Sequence, residues 1–235
     1  MKKTVIIALG GSLIIPAPGQ IDTEFLNRFK IFILRLLKTG KYRFIIVVGG
    51  GKTCRIYQKA AIEIDKKLTY NEIDLLGIEA TKLNACLLKT IFGKNAYPKV
   101  IDNPKIQLNF KWSLVIASGW KPGWSTDYVA ACFADRFNTT EIIDVGNVSY
   151  VYNKDPLRYK NTSIIKNMTW NEYRKIISNK WIPGLSAPID PVAAKISQKM
   201  KLRTLIVSGT DLKNIENILI NKPFKGTIIE SQEIY

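Results

Sequence analysis

Histidine is absent from the 235 residues. That removes every Ser–His–Asp or Cys–His catalytic arrangement and every histidine-ligated metal site. Cysteine is scarce. Cys54, Cys86 and Cys132 are odd in number, far apart and form no C-x-x-C pair, which argues against a disulfide framework or structural zinc. There is no long apolar span, and the N-terminus enters a strand pattern directly with no signal peptide. A reduced cytoplasm is therefore the expected address. Repeats, low-complexity tracts and flexible linkers are missing as well. Acidic residues are few: 35 Lys and Arg stand against 19 Asp and Glu, a formal net charge of +16. Such a balance favours anionic partners (phosphates, nucleotides, nucleic acid or an anionic membrane surface) without choosing among them.

What is present is ordinary globular material. Hydrophobic residues make up 46% of a chain long enough for one α/β domain or two closely joined lobes. Thr4 to Leu9 is an apolar run that empties into Gly10-Gly11-Ser12. A helix is expected over 23–38, with Phe25, Phe29, Phe32, Ile33 and Leu36 on one face and Gly40 closing it. Phe44 to Val48 is an unbroken β-branched and aromatic run, the pattern of a strand covered on both faces. Three glycines and a helix over 52–63 follow it. Asp74 to Ile91 reads as a helix with Leu75, Ile78, Leu83 and Leu87 as core candidates, and 97–110 as a strand or hairpin beside an irregular loop.

Further on, Ser113 to Ala117, Glu141 to Val145, Val148 to Tyr152, Arg203 to Val207 and Thr227 to Ile229 are expected strands. Helices are expected from the loop at Asp127 to Phe137, from the capping box Thr169-x-x-Glu172 to Ile177, from Asp190-Pro191 onward, and over 211–220. Strands and helices alternate, so the fold class is α/β: a three-layer α/β/α sandwich around a mostly parallel central sheet.

Three strand ends carry glycine loops: Gly10–Ser12, Gly49–Lys52 and Ser118–Asp127. In open α/β sheets ligands lie outside the carboxyl ends of the strands, and a glycine turn before a helix presents free N–H groups to a phosphate. Arg55, one turn into its helix, could add a bidentate contact. A plain βα turn with a surface Arg is the alternative. The loop is neither a Walker motif, which needs glycine at Ile46, nor a dinucleotide fingerprint, which needs glycine or alanine at Cys54. Asp127 is the best carboxylate candidate, unless it only caps its helix, a role open equally to Ser125 or Thr126. Asp74 is an N-cap or a hydroxyl acceptor, and Lys195 a solvated lysine or a functional one. Trp120 and Trp124 share a loop, while Trp112, Trp170 and Trp181 suit a core or an interface.

Together these segments resemble the amino acid kinase superfamily and, within it, the archaeal-type uridylate (UMP) kinases. The stretches that carry the resemblance are Gly10-Gly-Ser12, Gly49-Gly-Gly-Lys52 with Arg55, and Asp74-Leu-Leu-Gly-Ile-Glu-Ala-Thr-Lys-Leu-Asn84. Further along come Ala96-Tyr-Pro-Lys-Val100, Pro122-Gly-Trp-Ser-Thr-Asp127 followed by Ala130-Ala131, Lys154-Asp-Pro156 and Asp190-Pro-Val-Ala-Ala-Lys-Ile196. Their order and spacing cover nearly the whole chain. The resemblance implies transfer of the ATP γ-phosphoryl to UMP with Mg²⁺, in a hexameric cytoplasmic enzyme of pyrimidine nucleotide biosynthesis. It implies a single domain over 1–235, with acceptor binding in about 1–135 and ATP binding in about 136–235.

By the same resemblance, Gly10, Gly11 and Ser12 face the transferred group, with Asp127 and Thr126 lining the reaction centre. Gly50, Gly51 and Arg55 hold the UMP phosphate, and Asp74 meets the ribose. Asn147–Pro156 borders ATP, through Asn147, Tyr152 and Asp155, and Lys52 joins that side. Lys52 and Lys195 are the candidates to offset phosphoryl charge. No residue is assigned to the metal. The chain departs from the family at Ala8, where many members carry Lys, and at Trp120. It departs again in Asn147-Val-Ser-Tyr-Val-Tyr152, where Ser149 and Tyr150 replace Asp and Gly. A catalytically altered nucleotide- or oxyanion-binding assembly, like the molybdenum-storage relatives, is the alternative within the family. A nucleic-acid-binding protein is the alternative outside it. That reading rests on charge alone, without a recognition motif, so nucleic-acid binding is expected to be weak and non-specific at most.

Overall fold

The structure, a computed structural model, describes residues 2–107, 111–154, 159–180 and 187–231. The apolar runs become β1 (Lys3–Leu9), β2 (Tyr42–Val48), β3 (Leu114–Ala117), β4 (Glu141–Gly146), β8 (Arg203–Ser208) and β9 (Thr227–Glu230). Short strands β5 (Val151–Tyr152), β6 (Ile164–Ile165) and β7 (Asn167–Thr169) lie between β4 and β8 in the chain. The helices are α1 (Thr23–Lys38), α2 (Gly51–Ile64), α3 (Tyr70–Phe92), α4 (Thr126–Arg136), α5 (Trp170–Ile176), α6 (Pro191–Lys199) and α7 (Leu212–Leu219).

The main sheet runs β3-β2-β1-β4-β8-β9-β7, and only the β8–β9 pair is antiparallel. The chain builds outward from β1 to β2 and β3, then returns through α4 to β4 on the other side of β1. The direction of winding therefore reverses between β1 and β4, the place where α/β sheets open a crevice for ligands. Both faces are covered. Ile7, Leu9, Phe44 and Ile46 pack under α1, α3 and α7, while Ile6, Ile45 and Val47 pack under α4. A third cluster joins Trp170 and Tyr173 of α5 to Ala193 and Ala194 of α6 and to Ile206 and Ile229. The expected three-layer architecture is the one observed.

The local differences have physical causes. Helix α3 begins a turn before Asp74, because Thr69 and Glu72 form a reciprocal capping box. Its sheetward residues are Ala85, Leu88 and Phe92, whereas Leu75 and Leu83 are 49% and 63% exposed and Leu87 is half-buried. Of the four expected core positions only Ile78 is fully buried. No strand forms among the described residues of 97–110: Pro98 and Pro104 lack N–H donors, and Ile101 makes a single bridge to Ala117. Of the strand expected over 148–152 only Val151 and Tyr152 pair, with Ile165 and Ile164. Trp170 is buried and donates its indole N–H to the Leu202 carbonyl at 2.7 Å. Trp181 lies outside the described residues.

Phe29 of α1 is fully enclosed by this core. Phe29→Ala should lower the unfolding free energy by about 3–5 kcal/mol, read from urea denaturation.

Candidate active site

The ends of β1 and β2 meet at their glycines. Gly49 N–H donates to the Leu9 carbonyl at 2.9 Å, Gly10 N–H reaches across to Val145 of β4 at 2.8 Å, and Asn84 of α3 donates to the Gly49 carbonyl at 2.9 Å. The backbones touch so closely that side chains have no room. A Cβ on Gly49 would lie 2.7 Å from the Gly11 nitrogen and one on Gly51 2.5 Å from the Gly11 carbonyl oxygen. One on Gly11 would collide with the backbone of both Gly49 and Gly51. Gly51 also has φ +64°, a left-handed conformation in which a side chain is strained. Gly50 caps α2 without a side-chain acceptor, so no side chain competes with an anion at the first turn of α2, where Lys52 N–H makes a 3.4 Å contact with the Ile15 carbonyl and half-buried Lys52 and Arg55 stand beside it.

The third loop is tied to α3 from beneath. Gly119 N–H donates to Thr81 Oγ1 at 2.8 Å and Gly123 N–H to Asp74 Oδ2 at 2.6 Å. Asp74 is therefore inside α3 and is not its cap; Thr69 is. Ser125 caps α4 by accepting from Tyr128 N–H at 3.0 Å, which leaves Thr126 and Asp127 in the first turn with their side chains uncommitted to capping. Asp190 caps α6 through Oδ1, which accepts from Val192 and Ala193, while its Oδ2 accepts from the Ser125 hydroxyl. Asp127 accepts in turn from the Asp190 backbone N–H.

Carboxylates thus gather in a basic protein. Burial raises the pKa of Asp74, Asp127, Asp144 and Asp190, and among the described residues no Lys or Arg offsets the shift. Asp144, in the middle of β4, is pushed up to about 7 by burial. Asp127 is pushed well above the usual carboxylate range, first by burial and then by the charges of Asp144 and Asp190.

The site residues read from the sequence fall unevenly. Gly10, Gly11, Ser12, Gly50, Gly51, Lys52, Arg55, Asp74, Thr126 and Asp127 all belong to the three glycine loops at the carboxyl edge or the helices that anchor them. Lys195 is exposed on α6, whose neighbours Ala194 and Ser197 face inward. Asn147 is exposed after β4, Tyr152 sits in the β5–β6 hairpin, and Ser149 and Tyr150 are half-buried in the turn between. Asp155 lies outside the described residues. Asp144, Thr81, Asn84 and Thr204 were passed over. Only Asp144 carried a signal, as a lone carboxylate inside the apolar run Ile142–Val145.

Fold and site together define an α/β protein with a glycine-lined carboxyl edge on a mostly parallel sheet. The Amino acid kinase family model matches residues 3–208, and the chain belongs to that family. It is 35% identical over 234 residues to the uridylate kinase of Methanocaldococcus jannaschii, covering 96% of this chain and 99% of that one. To the uridylate kinase of Thermoplasma volcanium it is 33% identical over 238 residues, covering 99% and 100%. The crystal structure of uridylate kinase from Archaeoglobus fulgidus matches with a TM-score of 0.79 at 29% identity, over 97% of this chain and all of that one.

Two outcomes follow from the site's geometry and charge. Gly11→Ala must drive the two glycine turns apart, and should destabilise the protein by about 1–3 kcal/mol or more in chemical denaturation. For pH, Asp144 in the folded protein keeps its proton up to about 7, whereas its ordinary value is 3.8. Between those values the folded state binds more protons than the unfolded one, so stability should fall as pH rises, by about 1.4 kcal/mol per unit for each proton held. Unfolding free energies measured from pH 4 to 8 should show that fall in the wild type and a flatter curve in Asp144→Asn.

Proposed function

We propose that the protein is a UMP kinase, which transfers the γ-phosphoryl group of ATP to UMP. The bond from the γ-phosphorus to its bridging oxygen breaks, a bond to a UMP phosphate oxygen forms, and ADP and UDP leave. The observation that carries the reading is the construction of the acceptor half. An uncapped helix start with Arg55 one turn in stands beside a loop held by Asp74 and Thr81, with Asp127 at the head of α4. That half occurs in a chain similar over nearly its full length to proteins named uridylate kinase. This favours catalysis of that reaction over the oxyanion-storage and nucleic-acid readings.

In this reading Gly50, Gly51 and Arg55 hold the UMP phosphate and Asp74 the ribose. Gly10, Gly11, Ser12, Thr126 and Asp127 surround the transferred group. Lys52, Asn147, Tyr152 and Asp155 border ATP, and Lys195 is the more distant candidate for charge neutralisation. The division into an acceptor part over about 1–135 and an ATP part over about 136–235 belongs to the same proposal. Phosphoryl transfer needs positioning and charge neutralisation more than proton relays, which suits a site without histidine. Among the described residues no group of three or more Cys, Asp or Glu side chains is placed to hold a metal. Mg²⁺ would bind with the nucleotide phosphates and one or two carboxylates, the usual arrangement for this ion.

Assembly into a hexamer is part of the same reading. It is supported by Ile56, Tyr57 and Ile62 on α2 and by Leu75 and Leu83 on α3, all exposed apolar side chains. Among the described residues no helix is long and apolar enough to cross a membrane. Cytoplasmic work in pyrimidine nucleotide synthesis completes the proposal.

ADP release should be strongest with UMP when ATP, Mg²⁺ and a panel of nucleoside monophosphates are supplied. Equal rates without any monophosphate would reject the assignment. Arg55→Ala should weaken UMP binding by about 1.5–3 kcal/mol in calorimetry, the range for a hydrogen bond to a charged group.

A further inference from the structure

Under the reaction edge, between β1, β4 and β8 on one side and α4 and α6 on the other, lies a cavity of about 10 Å³. Ala8, Asp127, Asp144, Ser197 and Thr204 supply its small and polar walls, and Ile142 and Ile189 its apolar ones. Ala8 and Asp144 are paired partners on adjacent strands, so the short Ala8 side chain leaves open space beside the carboxylate. A cavity of this size accommodates one water, provided that it offers two to four polar partners. Thr204 gives independent evidence of a ligand. It is only 3% exposed, and its Oγ1 has no hydrogen-bond partner among the described residues. A buried hydroxyl left unpaired is costly, so this one is expected to serve something in the cavity.

Asp144 acts electrostatically on Asp127 of α4 and Tyr173 of α5, and Asp190, at the start of α6, acts on the same two groups. Two of these are already committed. The Tyr173 hydroxyl donates to the Ile189 carbonyl and accepts from the Ile189 N–H, each at 2.8 Å. Both oxygens of Asp190 are taken by the α6 N-terminus and Ser125. Asp144 of β4 remains, with Asp127 of α4, which among the described residues accepts only from the Asp190 backbone N–H; both line the water-sized space together with Thr204 of β8.

We propose that the cavity binds one water, held by Thr204, through which Asp127 and Asp144 share a single proton, and that Asp144 thereby acts as a positioning residue keeping Asp127 uncharged at the reaction centre. The role in the reaction rests on the kinase reading; the shared proton does not. With one proton between them the pair carries one negative charge where it would otherwise carry two. The nucleotides bring several negative charges to the same place, so a second carboxylate charge would repel the group being transferred. The upward shift of both carboxyls by burial, with that of Asp127 increased by the charge of Asp144, agrees with this.

Infrared spectroscopy of the nucleotide-free protein tests the proton without any catalysis. Wild type at neutral pH should show a protonated-carboxyl band. In Asp144→Asn, Asp127 loses the neighbouring charge that raises it, so the band should titrate away about 1 unit lower or more. A band that titrates identically in both proteins would overturn the shared proton. The alkaline limb of kcat for UDP formation should shift down by a similar amount in Asp144→Asn, with KM for UMP little changed at the acid end. Thr204→Val should shift it in the same direction, and Thr204→Ser should restore it. A wild-type profile in a folded Thr204→Val variant would remove the water. A requirement for Na⁺ or K⁺ at constant ionic strength would replace the proton by a cation and overturn the proposal. A shifting infrared band in a protein that phosphorylates no nucleoside monophosphate would reject the positioning role together with the kinase reading, and leave the proton pair standing.

Discussion

The backbone contact between the turns after β1 and β2 is the constraint on which the site depends. Gly11 lies against Gly49 and Gly51 at distances that no side chain tolerates, and Asn84 of α3 holds the Gly49 carbonyl from the far side. This contact sets the direction in which α2 leaves the sheet, and with it the positions of Lys52 and Arg55. It also joins β1 and β2 to β4 through the Gly10–Val145 hydrogen bond, at the point where the winding of the sheet reverses. Glycine at these places serves packing of main chain on main chain as much as access for a phosphate.

Charge is distributed against this frame in two layers. The chain as a whole carries +16, whereas its glycine-lined sheet edge is underlain by Asp74, Asp127, Asp144 and Asp190, with no neutralising lysine or arginine among the described residues. Local desolvation, not net charge, sets the state of these groups. Each makes its own structural bond or lines the cavity: Asp74 holds the Gly123 loop, Asp190 caps α6, and Asp144 stands beside Ala8. The general basic charge favours anionic ligands at long range, while the buried carboxylates decide what is electrostatically tolerated at the centre.

Much of this was legible in the residues. The β-branched run Phe44–Val48, the Thr169–Glu172 capping box and Asp190-Pro191 each state a local preference that the fold obeys, because strand burial and helix capping depend on neighbours in sequence. Gly10–Ser12, Gly49–Lys52 and Ser118–Asp127 were recognisable as loops at strand ends for the same reason. The reading failed where distant partners decided. Asp74 was open between a cap and a hydroxyl acceptor; Thr69 and Glu72 start the helix earlier, which removes the cap, and Asp74 accepts from a backbone N–H 49 residues away. Leu75 and Leu83 looked like core, yet that face of α3 is turned away from the sheet.

By itself, then, the sequence determined the alternation of strands and helices, the places of the glycine turns and the choice of histidine-free chemistry. These follow from side-chain type, local spacing and absence. Only the tertiary structure decided that Gly11 must be glycine because of Gly49 and Gly51, and that Ser125 caps α4 and so releases Asp127 from capping. It alone brought Asp144 and Thr204 to one cavity with Asp127. Such facts concern which surfaces meet, and residues separated by tens of positions carry no local signal of the neighbour that folding will give them.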